Sequence, residues 1–356
     1  MTSKAILIAT GGTGGHIFPG LAVASEFKSR GYQVHWLGTR QGMEATLVPA
    51  ANIPLHFFPV TGIRGKGILA LFIAPFNILK AVYVALKKIK EIKPRCVVGL
   101  GGFVAGPAGF ASKLLGLPLV IHEQNAIAGT TNRLLAKIAN KVLCAFPDTL
   151  KNAEVIGNPV RTSIESMEKR FENSGEKIHV LVMGGSRGAR ALNLNVAKAV
   201  AEADIANQVV IRHQCGAGRI DEAIAAYKKE GIDAEVIPFI DDMEQALLWA
   251  DFLICRAGAL TVSEVAAAGI ASVMVPYPYA IDDHQTANAQ YLEDMGATEI
   301  VQESEFESGK LVDALTRILS SRATIQSMSC NAKQAGRRGV AKTFVDICES
   351  IPGVAL

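Results

Sequence analysis

Ala5-Ile6-Leu7-Ile8-Ala9 runs into Gly11-Gly12-Thr13-Gly14-Gly15-His16, and His179-Val180-Leu181-Val182-Met183 runs into Gly184-Gly185-Ser186-Arg187-Gly188. A short apolar burst reads as a strand covered on both faces, and glycines directly after it make the tight turn into a helix. Two copies, one opening each half of a 356-residue chain, predict two doubly wound parallel-sheet domains. Working outward, strands are expected near 5–9, 33–37, 96–99, 119–122 and 141–145, then near 178–183, 208–213, 234–237, 252–255 and 272–275. Gly157-Asn158-Pro159-Val160-Arg161 and the polar stretch to Lys177 have the turn residues of a linker. Open parallel sheets bind ligands outside the carboxyl ends of their strands, so a cleft between the domains is the expected site.

The two halves differ in charge. Residues 1–160 hold 17 Lys+Arg against 6 Asp+Glu, a net of +11, and the remainder holds 19 against 27, a net of −8, which together give the chain's +3. One basic and one acidic half imply two different ligands. An apolar content of 49% excludes disordered and fibrous classes. Met1-Thr2-Ser3-Lys4 leads directly into a strand with no signal-peptide pattern, so the cytoplasm is expected. The six cysteines form no C-x-x-C pair and read as reduced thiols, with neither a zinc site nor a disulfide framework.

Two stretches imitate membrane spans. Val97 to Ser112 carries too many glycines for one and reads as strand, glycine loop and helix start. Gly67 to Leu79 is shorter than the about 20 apolar residues a bilayer needs, and Pro75 lies inside it. Its Ile68, Leu69, Leu71, Phe72, Ile73 and Phe76 precede Lys80, Lys87, Lys88, Lys90 and Lys93, on a helix whose inner face is Ile78, Val82, Ala85, Ile89 and Ile92. An apolar tip beside a basic helix suits an anionic bilayer surface; packing inside the first domain is the other reading.

Glycine turns favour oxygen-rich anions, because backbone amides approach closely and the following helix presents its positive end; the same glycines serve a bare tight turn. Neither copy is G-x-G-x-x-G, and Trp36-Leu37-Gly38-Thr39 ends without a ribose-holding carboxylate, which argues against NAD. Arg256-Ala257-Gly258-Ala259-Leu260-Thr261-Val262-Ser263-Glu264 follows the strand ending at Cys255. Thr261 and Glu264 have capping-box spacing; alternatively the helix start takes a diphosphate and Glu264 accepts from two ribose hydroxyls. Pro276-Tyr277-Pro278 and Asp282-Asp283-His284-Gln285 follow the next strand, placing Gln285 where it could meet sugar hydroxyls. No D-x-D pair occurs, so a metal-bound diphosphate site is unsupported. His16, with Pro19 at the start of its helix, is a cap, a packing residue or, facing a cleft, a general base.

These segments, with Gly38-Thr39-Arg40-Gln41-Gly42-Met43-Glu44 and His122-Glu123-Gln124-Asn125, together resemble the undecaprenyldiphospho-muramoylpentapeptide β-N-acetylglucosaminyltransferases, which convert lipid I to lipid II in peptidoglycan synthesis. The resemblance spans essentially the whole chain. It implies a GT-B fold with domains at 1–160 (acceptor and membrane-facing) and 161–338 (UDP-sugar-binding), and a C-terminal helix in 339–356 packing back on the first. It implies no metal or cofactor, inversion at the anomeric carbon, and His16 as the base. For UDP-N-acetylglucosamine it implies Ser186, Ala259, Leu260, Thr261, Val262 and Ser263 around the diphosphate, Glu264 on the ribose, Ile240 on the uracil through its backbone and Gln285 on the sugar. Thr13, Gly14, Gly15, Asn125 and Arg161 would complete that site, and the glycine turns of the basic half would take the acceptor diphosphate. Lipid I, anionic inner-membrane lipids, and cell-wall synthesis and division proteins are the implied partners, with no nucleic acid, at the cytoplasmic face of the inner membrane. A UDP-N-acetylglucosamine 2-epimerase shares fold and donor but needs no basic half. A sugar-nucleotide-binding protein without chemistry is the rival from another class.

Overall fold

The computed structural model describes residues 4–58, 67–167, 177–185 and 188–356, with Gly67 to Pro75 described in backbone only. The chain forms two compact units, Met1–Arg161 with Gly339–Leu356, and Thr162–Arg338. In the first, the elements are β1 (Ala5–Ala9), α1 (Gly14–Ser29), β2 (Gln33–Gly38), α2 (Glu44–Ala50), β3 (Leu55–Phe57) and α3 (Gly67–Ile92). There follow β4 (Cys96–Gly99), α4 (Gly102–Leu114), β5 (Leu119–Glu123), α5 (Thr130–Leu135), β6 (Lys141–Cys144) and β7 (Glu154–Val155). The seven strands are parallel in the order β3-β2-β1-β4-β5-β6-β7. Chain direction across the sheet reverses between β1 and β4, which is the switch point where such sheets open toward ligands.

The second unit holds α6 (Thr162–Glu165), β8 (Ile178–Met183), α7 (Arg190–Glu202), β9 (Val209–Gln214), α8 (Ile220–Lys229), β10 (Ala234–Ile237) and α9 (Met243–Trp249). It continues through β11 (Phe252–Cys255), α10 (Ala259–Ala268), β12 (Ala271–Met274), α11 (His284–Asp294), β13 (Thr298–Ile300), α12 (Lys310–Leu319) and α13 (Arg322–Ala335). Its order is β10-β9-β8-β11-β12-β13, again parallel, with the switch between β8 and β11. The last helix, α14 (Val340–Glu349), belongs to the first unit. Phe344, Val345 and Cys348 are buried in its core, and Arg30, which caps the end of α1, is ion-paired to Asp346 and Glu349 of α14 at 2.6 and 2.7 Å.

The apolar bursts became central strands buried on both faces: β1, β4, β5, β11 and β12 carry no exposed residue. The three strands not expected, β3, β7 and β13, are two or three residues long and flank the sheets, too short to show an apolar run. Other expectations are corrected. Pro19 lies inside α1 rather than at its start, because the helix begins at Gly14. α10 begins at Ala259 with Gly258 as N-cap and no side-chain cap, so Thr261 and Glu264 form no capping box; the helix starts before Thr261 could stand at its end. Of the six cysteines, five are buried and Cys330 is exposed, all free.

Among the described residues no helix is long and apolar enough to cross a membrane. α3 nevertheless runs 26 residues, through Pro75. Ala81, Val82, Ala85 and Ile89 are its buried face, while Ile78, expected on that face, is 46% exposed. Phe76, Leu79 and Tyr83 are 74%, 66% and 68% exposed, along a stripe that also carries the exposed Lys80, Lys87 and Lys90.

Candidate functional site

In the first unit the turn after β1 is built around an internal carboxylate. Glu44, at the start of α2 and fully buried, accepts from Gly12 N at 3.1 Å with Oε2, and from Thr39 N at 2.8 Å and Thr39 Oγ1 at 2.7 Å with Oε1. Three hydrogen bonds are the condition under which a buried charge is tolerated. The surrounding glycines follow from it: a Cβ on Gly11 would stand 2.5 Å, and one on Gly42 only 1.9 Å, from a Glu44 carboxylate oxygen. Gly12 itself has φ +114°, open to glycine. The amide of Gly12, expected for an acceptor phosphate, is thus taken by the chain's own anion.

Thr13 is the N-cap of α1, exposed, with no side-chain cap; Gly14, Gly15 and His16 form the first turn. His16 Nδ1 lies 2.9 Å from Gln124 Oε1. Gln124 Nε2 lies 3.2 Å from His122 Nδ1, and His122 Nε2 lies 2.8 Å from the carbonyl of Gly157. Burial pushes the His122 ring down to about 4, so it is neutral. Glu123, also buried, accepts from Asn125 N, Asn125 Nδ2, Gly129 N and Asn132 Nδ2, which shapes the loop after β5 and sets Asn125. Arg161 places its guanidinium 4.3 Å from the centre of the Phe18 ring on α1. The segments containing residues 11–16, 38–44, 122–125 and 157–161, separate in sequence, therefore meet at the carboxyl ends of the first unit's strands.

In the second unit the expected donor residues follow the carboxyl ends of β8, β10, β11 and β12. Ser186 and Arg187 lie outside the described residues. Ile240 is buried in the loop after β10. Gln214 Nε2 donates to Gly185 O and Pro238 O, both at 3.1 Å, tying that loop to the turn after β8. Ala259, Leu260, Thr261, Val262, Ser263 and Glu264 occupy the first two turns of α10; Ser263 Oγ donates back to Ala259 O at 2.9 Å, and Glu264 is buried. Asn288 of α11 donates to Ala257 O at 3.2 Å, joining α11 to the β11–α10 turn. Gln285 Oε1 accepts from Tyr277 N at 2.9 Å, which fixes the side chain against the loop after β12. Arg256 braces the same loop, donating to Val275 O and Pro276 O at 3.1 and 3.0 Å and pairing with Glu303. Two successive left-handed residues, Asp282 and Asp283, lead into α11. Among the described residues no three His, Cys, Asp or Glu side chains gather where they could hold a metal ion.

The glycosyltransferase family 28 N-terminal domain matches residues 6–144 and the family's C-terminal domain matches residues 179–344. A protein of Cupriavidus metallidurans, named UDP-N-acetylglucosamine–N-acetylmuramyl-(pentapeptide) pyrophosphoryl-undecaprenol N-acetylglucosamine transferase, is 46% identical over 99% of both chains. The chain belongs to glycosyltransferase family 28. A Pseudomonas fluorescens protein of the same name is 48% identical over 96% of this chain and 97% of its own. The crystal structure of Acinetobacter baumannii MurG superimposes with a TM-score of 0.84 at 41% identity, covering 98% of this chain and 99% of that one. The calicheamicin glycosyltransferase CalG4, at 14% identity and a TM-score of 0.71 over 99% of this chain and all of that one, shares the GT-B fold alone.

Sequence reasoning placed His16 but missed what holds it, and missed Glu44 as a builder of the turn. A signal was present: residues 1–160 contain only six Asp and Glu, and Glu44 and Glu123 stand inside two of the singled-out motifs.

Proposed function

We propose that the chain transfers N-acetylglucosamine from UDP-N-acetylglucosamine to the C4 hydroxyl of the muramoyl sugar in undecaprenyl-diphospho-muramoylpentapeptide, lipid I, giving lipid II with inversion and without a metal. The observation that carries this reading is full-length identity of 46 to 48% to relatives bearing that activity in their names, in a chain that keeps His16, Glu264 and Gln285 at strand ends. The α10 amides and helix end offset the charge of the UDP diphosphate as it leaves. Glu264 accepts from the ribose hydroxyls, Ile240 meets the uracil through its backbone, and Gln285 donates to the sugar. His16 takes the proton of the attacking hydroxyl, with Thr13, Gly14, Gly15, Asn125 and Arg161 around the reacting sugars. The exposed stripe of Phe76, Leu79 and Tyr83 with Lys80, Lys87 and Lys90 rests on the anionic cytoplasmic face of the inner membrane.

Following UDP release from UDP-N-acetylglucosamine tests the reading. Release that requires lipid I supports the transferase. Release or epimerisation without acceptor supports the epimerase, and donor binding without turnover supports a binding protein.

A further inference from the structure

Taking His16 as the base of the proposed transfer, we infer that Gly157, His122 and Gln124 form a one-way hydrogen-bond relay that holds His16 as its Nδ1–H tautomer, leaving the lone pair on Nε2.

The direction follows from elementary donor and acceptor chemistry, starting at the far end. The Gly157 carbonyl can only accept, so His122 Nε2, 2.8 Å away, carries a proton. The ring is completely buried and neutral, so its Nδ1 is bare. Gln124 Nε2 sits 3.2 Å from that Nδ1 and 3.3 Å from the His122 carbonyl oxygen, and both are acceptors. Turning the amide over would set its oxygen against two lone pairs in a buried site, where unpaired polar atoms are costly. The amide oxygen therefore faces His16, and because it only accepts, His16 Nδ1 must be the protonated nitrogen.

The relay is held at each point. Asn158 Nδ2 donates to the Gln124 carbonyl at 3.0 Å, so the residue after Gly157 also fixes the backbone that carries the amide. Gly101, at φ +81°, has no Cβ where one would lie 3.1 Å from His16 Cε1, which leaves the ring its place. A histidine in water favours the Nε2–H tautomer, in which the outward nitrogen could not accept a proton. Gln124 is a positioning residue: being uncharged, it orients the ring without adding a negative charge. When Nε2 takes the hydroxyl proton, the Nδ1 proton stays on the ring, donated to Gln124 Oε1.

Two-bond proton–nitrogen correlation spectra of the 15N-histidine-labelled protein at pH 8 read which ring nitrogen is protonated, with His16 assigned by loss of its signals in His16→Ala. The expected result is a protonated Nδ1 and bare Nε2 in the wild type. Gln124→Met should move His16 toward the Nε2–H form and lower kcat at least about tenfold, with the donor KM within about twofold. A wild-type His16 protonated at Nε2 overturns the relay, and so does an unchanged tautomer in Gln124→Met. The wild-type spectrum needs no variant to fold and no substrate. A failed acceptor assay with the expected tautomer sinks the function and leaves the relay; the reverse sinks only the relay.

Discussion

The β1–α1 turn and the β11–α10 turn both put glycine before a helix at the carboxyl end of a parallel strand, yet they are finished differently. In the first, the buried Glu44 carboxylate takes the Gly12 amide and both donors of Thr39. In the second, the recorded tie is a donor, Asn288 Nδ2 of α11, to the Ala257 carbonyl at 3.2 Å, and the N-cap is Gly258. Identical-looking glycine motifs thus do different work. One is built around the chain's own carboxylate ahead of its helix; the other is braced by an amide from the next helix. Glycine shows where backbone amides can be approached, and the nearest carboxylate of the chain decides who approaches them.

The largest effect expected from this contrast is on stability. Glu44→Ala leaves three donors without their acceptor, at about 1–3 kcal/mol each when buried, so thermal unfolding should show a loss of about 3 kcal/mol or more. Thr261→Ala, in the other turn, removes no cap and should stay within about 0.5 kcal/mol of wild type. A Glu44→Ala protein that melts with the wild type would erase the distinction between the turns.

Acid should expose a feature the two units share. His122 in the first and His213 in the second are both held neutral by burial, each pushed down to about 4 from 6.5. Between those values the unfolded chain binds more protons than the folded one, so stability is complete above about pH 6.5 and falls as pH drops toward 4. Circular-dichroism melting at pH 7 and pH 5 should show the drop, and His213→Gln should shrink it. An equal drop in that variant would remove His213 from the account.

How much of this was legible in the sequence depended on length of signal. Apolar bursts such as Ile6 to Ala9 and Phe252 to Cys255 announced central strands because burial on both faces leaves no room for polar residues. Glu154-Val155 and Thr298 to Ile300 could not, since two or three residues at a sheet edge carry no period. The candidate site residues could be proposed one motif at a time. The bonds among motifs could not: nothing local in Gln124 says that it bridges His16, 108 residues earlier, to His122.

A smaller effect concerns the basic unit alone. Lys88 is paired with Glu91 at 2.8 Å, so Lys80, Lys87 and Lys90 are the exposed cations left along the stripe with Phe76, Leu79 and Tyr83. Each lysine near an anionic bilayer adds about 1 kcal/mol. Replacing all three by Gln should reduce sedimentation with anionic vesicles and make the residue of binding less salt-sensitive, with transfer to detergent-dispersed acceptor unchanged. Equal sedimentation of variant and wild type at low salt would take the anchor away from this cluster.

The division of labour between the units is tested most directly by measuring kcat, donor KM and UDP affinity for His16→Ala and Glu264→Ala side by side. His16→Ala should lose turnover by about a hundredfold or more at unchanged UDP affinity. Glu264→Ala should weaken UDP by about tenfold or more, since each hydrogen bond to the carboxylate is worth about 1.5–3 kcal/mol. His16→Ala within a few-fold of wild-type turnover, or Glu264→Ala that melts early while holding UDP normally, would contradict it.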